Sequence, residues 1–192
     1  MKEGLIKDSI ELLLKELQTF VTIAYLFMVG IGMLFNYQKY DEFGINIFQY
    51  ADIFDFLIAP FEDFWIILFA LGTLILTLII MQIDKRWRKK SPKSYSKANF
   101  GFDKKSWFPT YRLVSYLSVF IIYLFVISIL YAESVSDNIN DRTPIQVKYT
   151  DNTSEKYILI GKTSSTLFLK KGSTVSIIPI DSNVKEIVIN TA

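Results

Sequence analysis

Three stretches of this chain carry no charge at all: residues 17–37, 64–83 and 113–132. Each holds at least 20 residues, and a helix of that length runs roughly 30 Å, the thickness of a hydrocarbon core. A core helix of a water-soluble domain would interrupt its apolar residues with a polar stripe every three or four positions. The segment WIILFALGTLILTLIIM is apolar on every side. The expectation is three transmembrane helices, followed by a small β domain.

The leading segment of the first stretch holds four acidic residues, its apolar core is long, and no small-x-small site follows, so a cleaved signal peptide is not expected. The chain has neither cysteine nor histidine. That removes thiolate and imidazole metal ligands, disulfides, and the commonest general base. No phosphate-cradling glycine loop is present, and no Asp, Glu, Lys or Arg lies within a span, where a proton relay would need one. The reading is a non-enzymatic protein without metal or cofactor.

Net charge is only +2, but the charges are unevenly spread. Loop 38–63 holds Lys39 against Asp41, Glu42, Asp52, Asp55, Glu62 and Asp63. Loop 84–112 holds Lys85, Arg86, Arg88, Lys89, Lys90, Lys93, Lys97, Lys104, Lys105 and Arg112 against Asp84 and Asp103. Lys and Arg in short loops stay cytoplasmic. The second loop is therefore expected inside, the first outside, the N-terminus inside and the C-terminal tail outside an inner (plasma) membrane. The same ten cations suit anionic lipid headgroups, and nucleic acid is not needed to explain them. Phe64, Trp65, Trp87, Trp107 and Phe108 sit at span ends, where aromatic rings anchor at headgroup level.

Residues 2–17, in the cytoplasmic N-terminal segment 1–16 and the start of the first span, are expected to form an amphipathic helix, with Ile6, Ile10, Leu13 and Leu17 on one face and Glu3, Lys7, Glu11 and Lys15 on the other. It suits either a helix lying on the inner leaflet or against a neighbouring subunit, or a simple cytoplasmic continuation of the first span. In the first loop, Ala51–Ala59 is expected to form a short interfacial helix stopped by Pro60. Its acids Asp52, Asp55, Glu62 and Asp63 are read as solvated, or as an acidic mouth in an oligomer. Gly30, Gly32, Ala70, Thr73, Thr77, Ser115 and Ser118 are the small residues that permit close helix approach.

After a polar linker at 133–144, the chain changes character. IQVKYT, EKYILIGKT, STLFLKK, STVSIIPI and VKEIVIN are short β-branched-rich segments separated by DNTS, KTSS, KKGS and DSN. Five strands in residues 145–192 suit a compact SH3/Sm-like β-barrel, with Gly161 at a bend and Asp151-Asn152 and Gly172 in hairpins. With Gly161, the Lys171-Gly172 turn and the Ile178-Pro179 strand end, the segment resembles the Sm-like β domain of small-conductance mechanosensitive channels. That resemblance implies a barrel and carries no functional residues. The family's glycine- and alanine-rich pore helix has no counterpart in VSYLSVFIIYLFVISILY, and its β domain is cytoplasmic.

The functional expectation is a sensing, anchoring or interaction subunit of a larger membrane system, a homo-oligomer or the partner of another membrane-associated protein. An oligomeric pore-forming effector of defence or toxin type is the alternative. It would turn Ala70, Thr73 and Thr77, or Ser115 and Ser118, toward a central axis.

Overall fold

The computed structural model describes residues 2–189, with side chains described from Glu16 to Ile189. Helix α1 spans Lys2–Asp41, α3 Phe64–Lys90 and α5 Phe108–Asp137. All three contain stretches long and apolar enough to cross a membrane, and the chain is a membrane protein in that sense. The two-faced pattern expected over residues 2–17 falls, except for its last positions, outside the described side chains.

Each helix runs past its charge-free stretch. The last turn of α3 carries Arg88, Lys89 and Lys90, cations that a helix C-terminus favours. The bundle core is Ile31 and Phe35 of α1, Ile66 and Ala70 of α3, and Phe120, Leu124 and Tyr131 of α5. Phe35 meets the Tyr131 ring at 5.5 Å, and Phe27 stacks on Phe120 at 5.7 Å. Outward-facing apolar residues such as Leu71, Ile75 and Leu78 stay exposed, as they do where lipid is the solvent.

Helix α2, Ile53–Glu62, begins with a reciprocal capping box between Asp52 and Asp55. Pro60, expected to stop this helix, instead lies inside it. There it forfeits the amide hydrogen bond to the Phe56 carbonyl, and the helix ends two residues later. Its ring packs over Gly32, where a Cβ would come within 2.7 Å of Pro60 Cδ. Gly32 thus admits α2 against α1. Between α3 and α5 the basic segment is folded rather than open. Pro92 opens α4 (Pro92–Ala98), and a turn with Gly101 at φ 75° leads into a short 3-10 helix, Phe102–Lys104.

The linker expected at 133–144 is largely helical. Helix α5 continues to Asp137, and a 3-10 turn at Ile139–Asp141 buries Ile139 completely. Strands β1 (Ile145–Tyr149), β2 (Ser154–Lys162), β3 (Thr166–Lys171), β4 (Thr174–Pro179) and β5 (Val184–Val188) form one antiparallel sheet in the order β4-β3-β2-β1-β5. Asn152 (φ 65°) turns the first hairpin and Gly172 (φ 62°) the β3–β4 hairpin. A register shift at Leu159/Gly161 bends β2, and a four-residue helix α6, Ile180–Asn183, joins β4 to β5. The sheet is open. The barrel expected from sequence does not close, because β4 and β5 remain its two edges rather than pairing with each other.

Both faces of β3 are covered. Leu167 and Leu169 pack with Ile145, Val147 and Tyr157 inside the curved sheet. Phe168 points the other way, joining Ile160 against Tyr40, Ile45 and Ile47 from the end of α1 and the loop after it. The sheet is therefore seated on the first interhelical loop.

Candidate functional site

The seat of the sheet is built from residues that the sequence presented as a free acidic loop. Asp52 Oδ1 accepts from the amides of Phe54 at 2.7 Å and Asp55 at 3.1 Å, and Asp52 N donates to Asp55 Oδ2 at 2.9 Å. The β2–β3 loop then grips the pair. Ser164 N donates to Asp55 Oδ1 at 2.8 Å, and its hydroxyl lies 3.1 Å from Asp52 Oδ2 and 3.2 Å from Asp55 Oδ2. The Asp55 backbone amide first, then the Phe54 amide and the Ser164 hydroxyl, hold the Asp52 carboxyl below the usual carboxylate range. Above this contact the Phe168 ring sits edge-on to Tyr40 at 5.0 Å and to Tyr50 at 5.6 Å.

Asp63 has a different task. It caps α3 through Trp65 N at 2.9 Å, and its other oxygen accepts from the Tyr131 hydroxyl of α5. One carboxylate thus ties the start of α3 to the end of α5. Glu62 borders a narrow gap beside Tyr40 and Lys162.

Next to Asp63 a cleft of about 500 Å³ opens between α3 and α5. Its apolar lining is Trp65, Phe69, Ile127, Leu130 and Val135, and its polar lining is Asp63, Tyr131, Ser134, Asn138 and Arg142. Arg142 spends Nη1 on the Leu159 carbonyl at 3.3 Å and joins none of the ion pairs among the described residues. Apolar walls with a few convergent polar groups are the general make-up of a small-ligand site. Sequence reasoning missed this cleft, because Arg142 and Asp63 lie in segments read as a linker and a loop.

At the opposite end, Asp84 is the centre of a polar node. It accepts from Tyr116 Oη at 2.6 Å and Tyr95 Oη at 3.1 Å, and it pairs with Arg112. The Arg112 guanidinium lies 5.1 Å from the Tyr116 ring and about 6 Å from those of Tyr95 and Phe108. Arg112, grouped by sequence with the lipid-facing cations, is therefore drawn inward, because Asp84 on the neighbouring helix supplies its counter-charge. Phe108, grouped with the interfacial anchors, is likewise buried, under Tyr95 and Arg112, at 1% exposure. The other cations, Lys85, Arg86, Arg88, Lys89, Lys90, Lys93, Lys97, Lys104 and Lys105, are exposed, and Arg88 also lies over the Phe108 ring at 6.0 Å. Trp87 and Trp107 are partly exposed at this end, Phe64 and Trp65 at the sheet end.

Of the small residues, Ala70, Thr73 and Thr77 are buried in the bundle. The Thr73 and Thr77 hydroxyls bond the carbonyls of Phe69 and Thr73, each at 2.9 Å. Ser128, unmarked by the sequence reading, is fully buried as well. Gly30 faces outward with nothing within 4 Å of a Cβ. Ser115 and Ser118 bond their own helix, and Ser118 is exposed. Among the described residues no group of three acids stands together as a metal site.

No protein-family model, curated protein or solved structure matches this chain. The geometry alone carries the functional argument, and it offers surfaces for contact: an open sheet, an amphipathic cleft and a cationic cap.

Proposed function

We propose that the protein is a non-enzymatic interaction subunit of a membrane assembly, of a sensing or anchoring kind, with a docking surface at each end. The seated sheet is the observation that carries this reading. A domain on a flexible tether cannot transmit a load, whereas this one is clamped to α1 and α2 through Phe168–Tyr40 and Ser164–Asp55. Its unpaired β4 and β5 edges leave backbone donors and acceptors available to a neighbouring strand, from a second copy or from another protein. At the other end, the exposed cations of α3 and α4 suit anionic lipid, each worth about 1 kcal/mol near a charged surface.

The lysine and arginine bias supports a cytoplasmic basic end and an extracytoplasmic sheet in an inner membrane. The strand order, the bend at Gly161 and the short helix between β4 and β5 support an SH3/Sm-like reading of the sheet, which closure of its two edges would complete.

Reporter fusions after Ala192 and within 93–105 test the orientation, the expected result being opposite sides with the basic segment in the cytoplasm. Cross-linking from single cysteines placed along β4 and β5 tests the docking surface. The expected result is a discrete adduct from an edge strand and none from β2. Equal labelling of all strands would reject it. A pore is less well supported through Ala70, Thr73 and Thr77, which are buried within one copy, and would have to use the Ser115 and Ser118 face, where Ser118 is exposed. Leakage from vesicles containing the purified protein would restore that reading.

A further inference from the structure

The cleft between the start of α3 and the end of α5 has a sharply divided lining. Trp65, Phe69, Ile127 and Leu130 line it from the apolar stretches of their helices, while Asp63 and Arg142 line it from just beyond the ends of the two candidate spans. Span ends are where headgroups lie. The volume of about 500 Å³ falls within the range of small-molecule sites.

The polar lining carries one charge of each sign. Among the described residues the Arg142 side chain makes one hydrogen bond, to the Leu159 carbonyl, and its guanidinium fork suits a phosphate. Asp63 accepts from Trp65 N and Tyr131 Oη, and a carboxylate has about four acceptor positions. It retains capacity for a further N–H donor. A glycerol head carries no charge beyond its phosphate and would meet Asp63 with neutral hydroxyls, without an opposite charge. A quaternary ammonium has no N–H to give.

We propose that this cleft binds one phospholipid molecule with a phosphate–primary-amine head. An acyl chain lies along Trp65, Phe69, Ile127 and Leu130, the phosphate rests on Arg142, and the ammonium donates to Asp63. The site is independent of the docking surfaces proposed above, because it uses neither the sheet edges nor the basic cap.

Trp65 is one of three tryptophans, and Trp87 and Trp107 lie at the other end of the bundle. The full chain carrying Trp87→Phe and Trp107→Phe therefore reports, through Trp65, on lipid in the cleft and beside it at the sheet end. It would be reconstituted in phosphatidylcholine vesicles containing increasing fractions of dibrominated phosphatidylethanolamine, phosphatidylcholine or phosphatidylglycerol, with Trp65 quenching recorded. The expected result is a relative affinity for the ethanolamine lipid about threefold or more above the other two, the scale of one wet charge-assisted contact.

Asp63→Asn, which keeps a side chain able to cap α3 but removes the charge that reads the ammonium, is expected to bring that ratio to about one. Leu130→Phe, which narrows the cleft and leaves the polar lining intact, is expected to lower it as well, so the proposal stays testable if the first variant misfolds. Quenching that follows mole fraction for all three lipids, a preference for phosphatidylglycerol, or selectivity indifferent to both substitutions would overturn the proposal.

Discussion

The Tyr40 phenol, one residue from the end of α1, lies against Gly161 in β2, so closely that a Cβ on Gly161 would come within 3.0 Å of Tyr40 Cζ and nearer still to its hydroxyl. Gly161 is therefore a contact glycine, needed for space and not for a positive φ. Gly161→Ala is expected to cost about 1–3 kcal/mol, the usual range for overpacking, seen as a lower unfolding midpoint in detergent. Adding Tyr40→Phe, which removes the nearest atom, should recover part of the loss. An alanine variant as stable as the parent would mean that the sheet is not seated this way.

The grip of Ser164 on Asp52 and Asp55 makes the seat sensitive to acid. The Asp52 pKa is lowered in the folded protein, so its contribution is complete above the unfolded value of about 4 and is lost as pH falls through the folded one. Amide protection across 163–165, corrected for intrinsic exchange, should stay level from about pH 5 to 8 and fall below about pH 4. Ser164→Ala should lower it throughout. A decline beginning near neutrality would implicate another group.

At the basic end, Asp84→Ala leaves Arg112 partly buried without its counter-charge. A loss of about 3 kcal/mol is expected, the lower end for breaking such a pair, since both side chains retain some exposure. The double change Asp84→Leu with Arg112→Met should cost less than Asp84→Ala alone, because no charge is then stranded. Denaturation of the three proteins in one detergent decides it.

Small residues in the spans should differ by position. Thr73→Leu inserts volume at a fully buried site and should cost about 1–3 kcal/mol. Thr73→Val, which loses only a hydroxyl bond within its own helix, should stay within about 1 kcal/mol. Gly30→Leu faces open space and should be neutral or better, whereas Gly32→Ala meets Pro60 and should destabilise.

What sequence could reveal depended on range. The spans followed from charge-free length alone. The five strands emerged within a residue or two of their observed ends, because their turn residues are local: Asn152 and Gly172 both adopt positive φ. The seat was invisible because its partners are far apart in the chain. Ser164 and Asp52 are separated by 112 residues, and nothing periodic links them. One signal did point to it. Leu167-Phe168-Leu169 is apolar on consecutive positions, which in a strand means that both faces are covered. The ten cations of the basic segment were read as one group, and only the helix geometry singled out Arg112 as the partner of Asp84.

The seating of the sheet leaves α1 unequally restrained. Near its end, Phe35 and Tyr40 are almost wholly enclosed, and Gly32 lies beneath Pro60. Toward the other end, Leu17, Phe20 and Ile23 are more than half exposed. Pulling α1 away from α5 at the sheet would mean dismantling an aromatic cluster, whereas among the described residues toward the basic face the α1 side chains turn mostly to lipid. The described part of α1 is thus held by protein at one end and by solvent at the other.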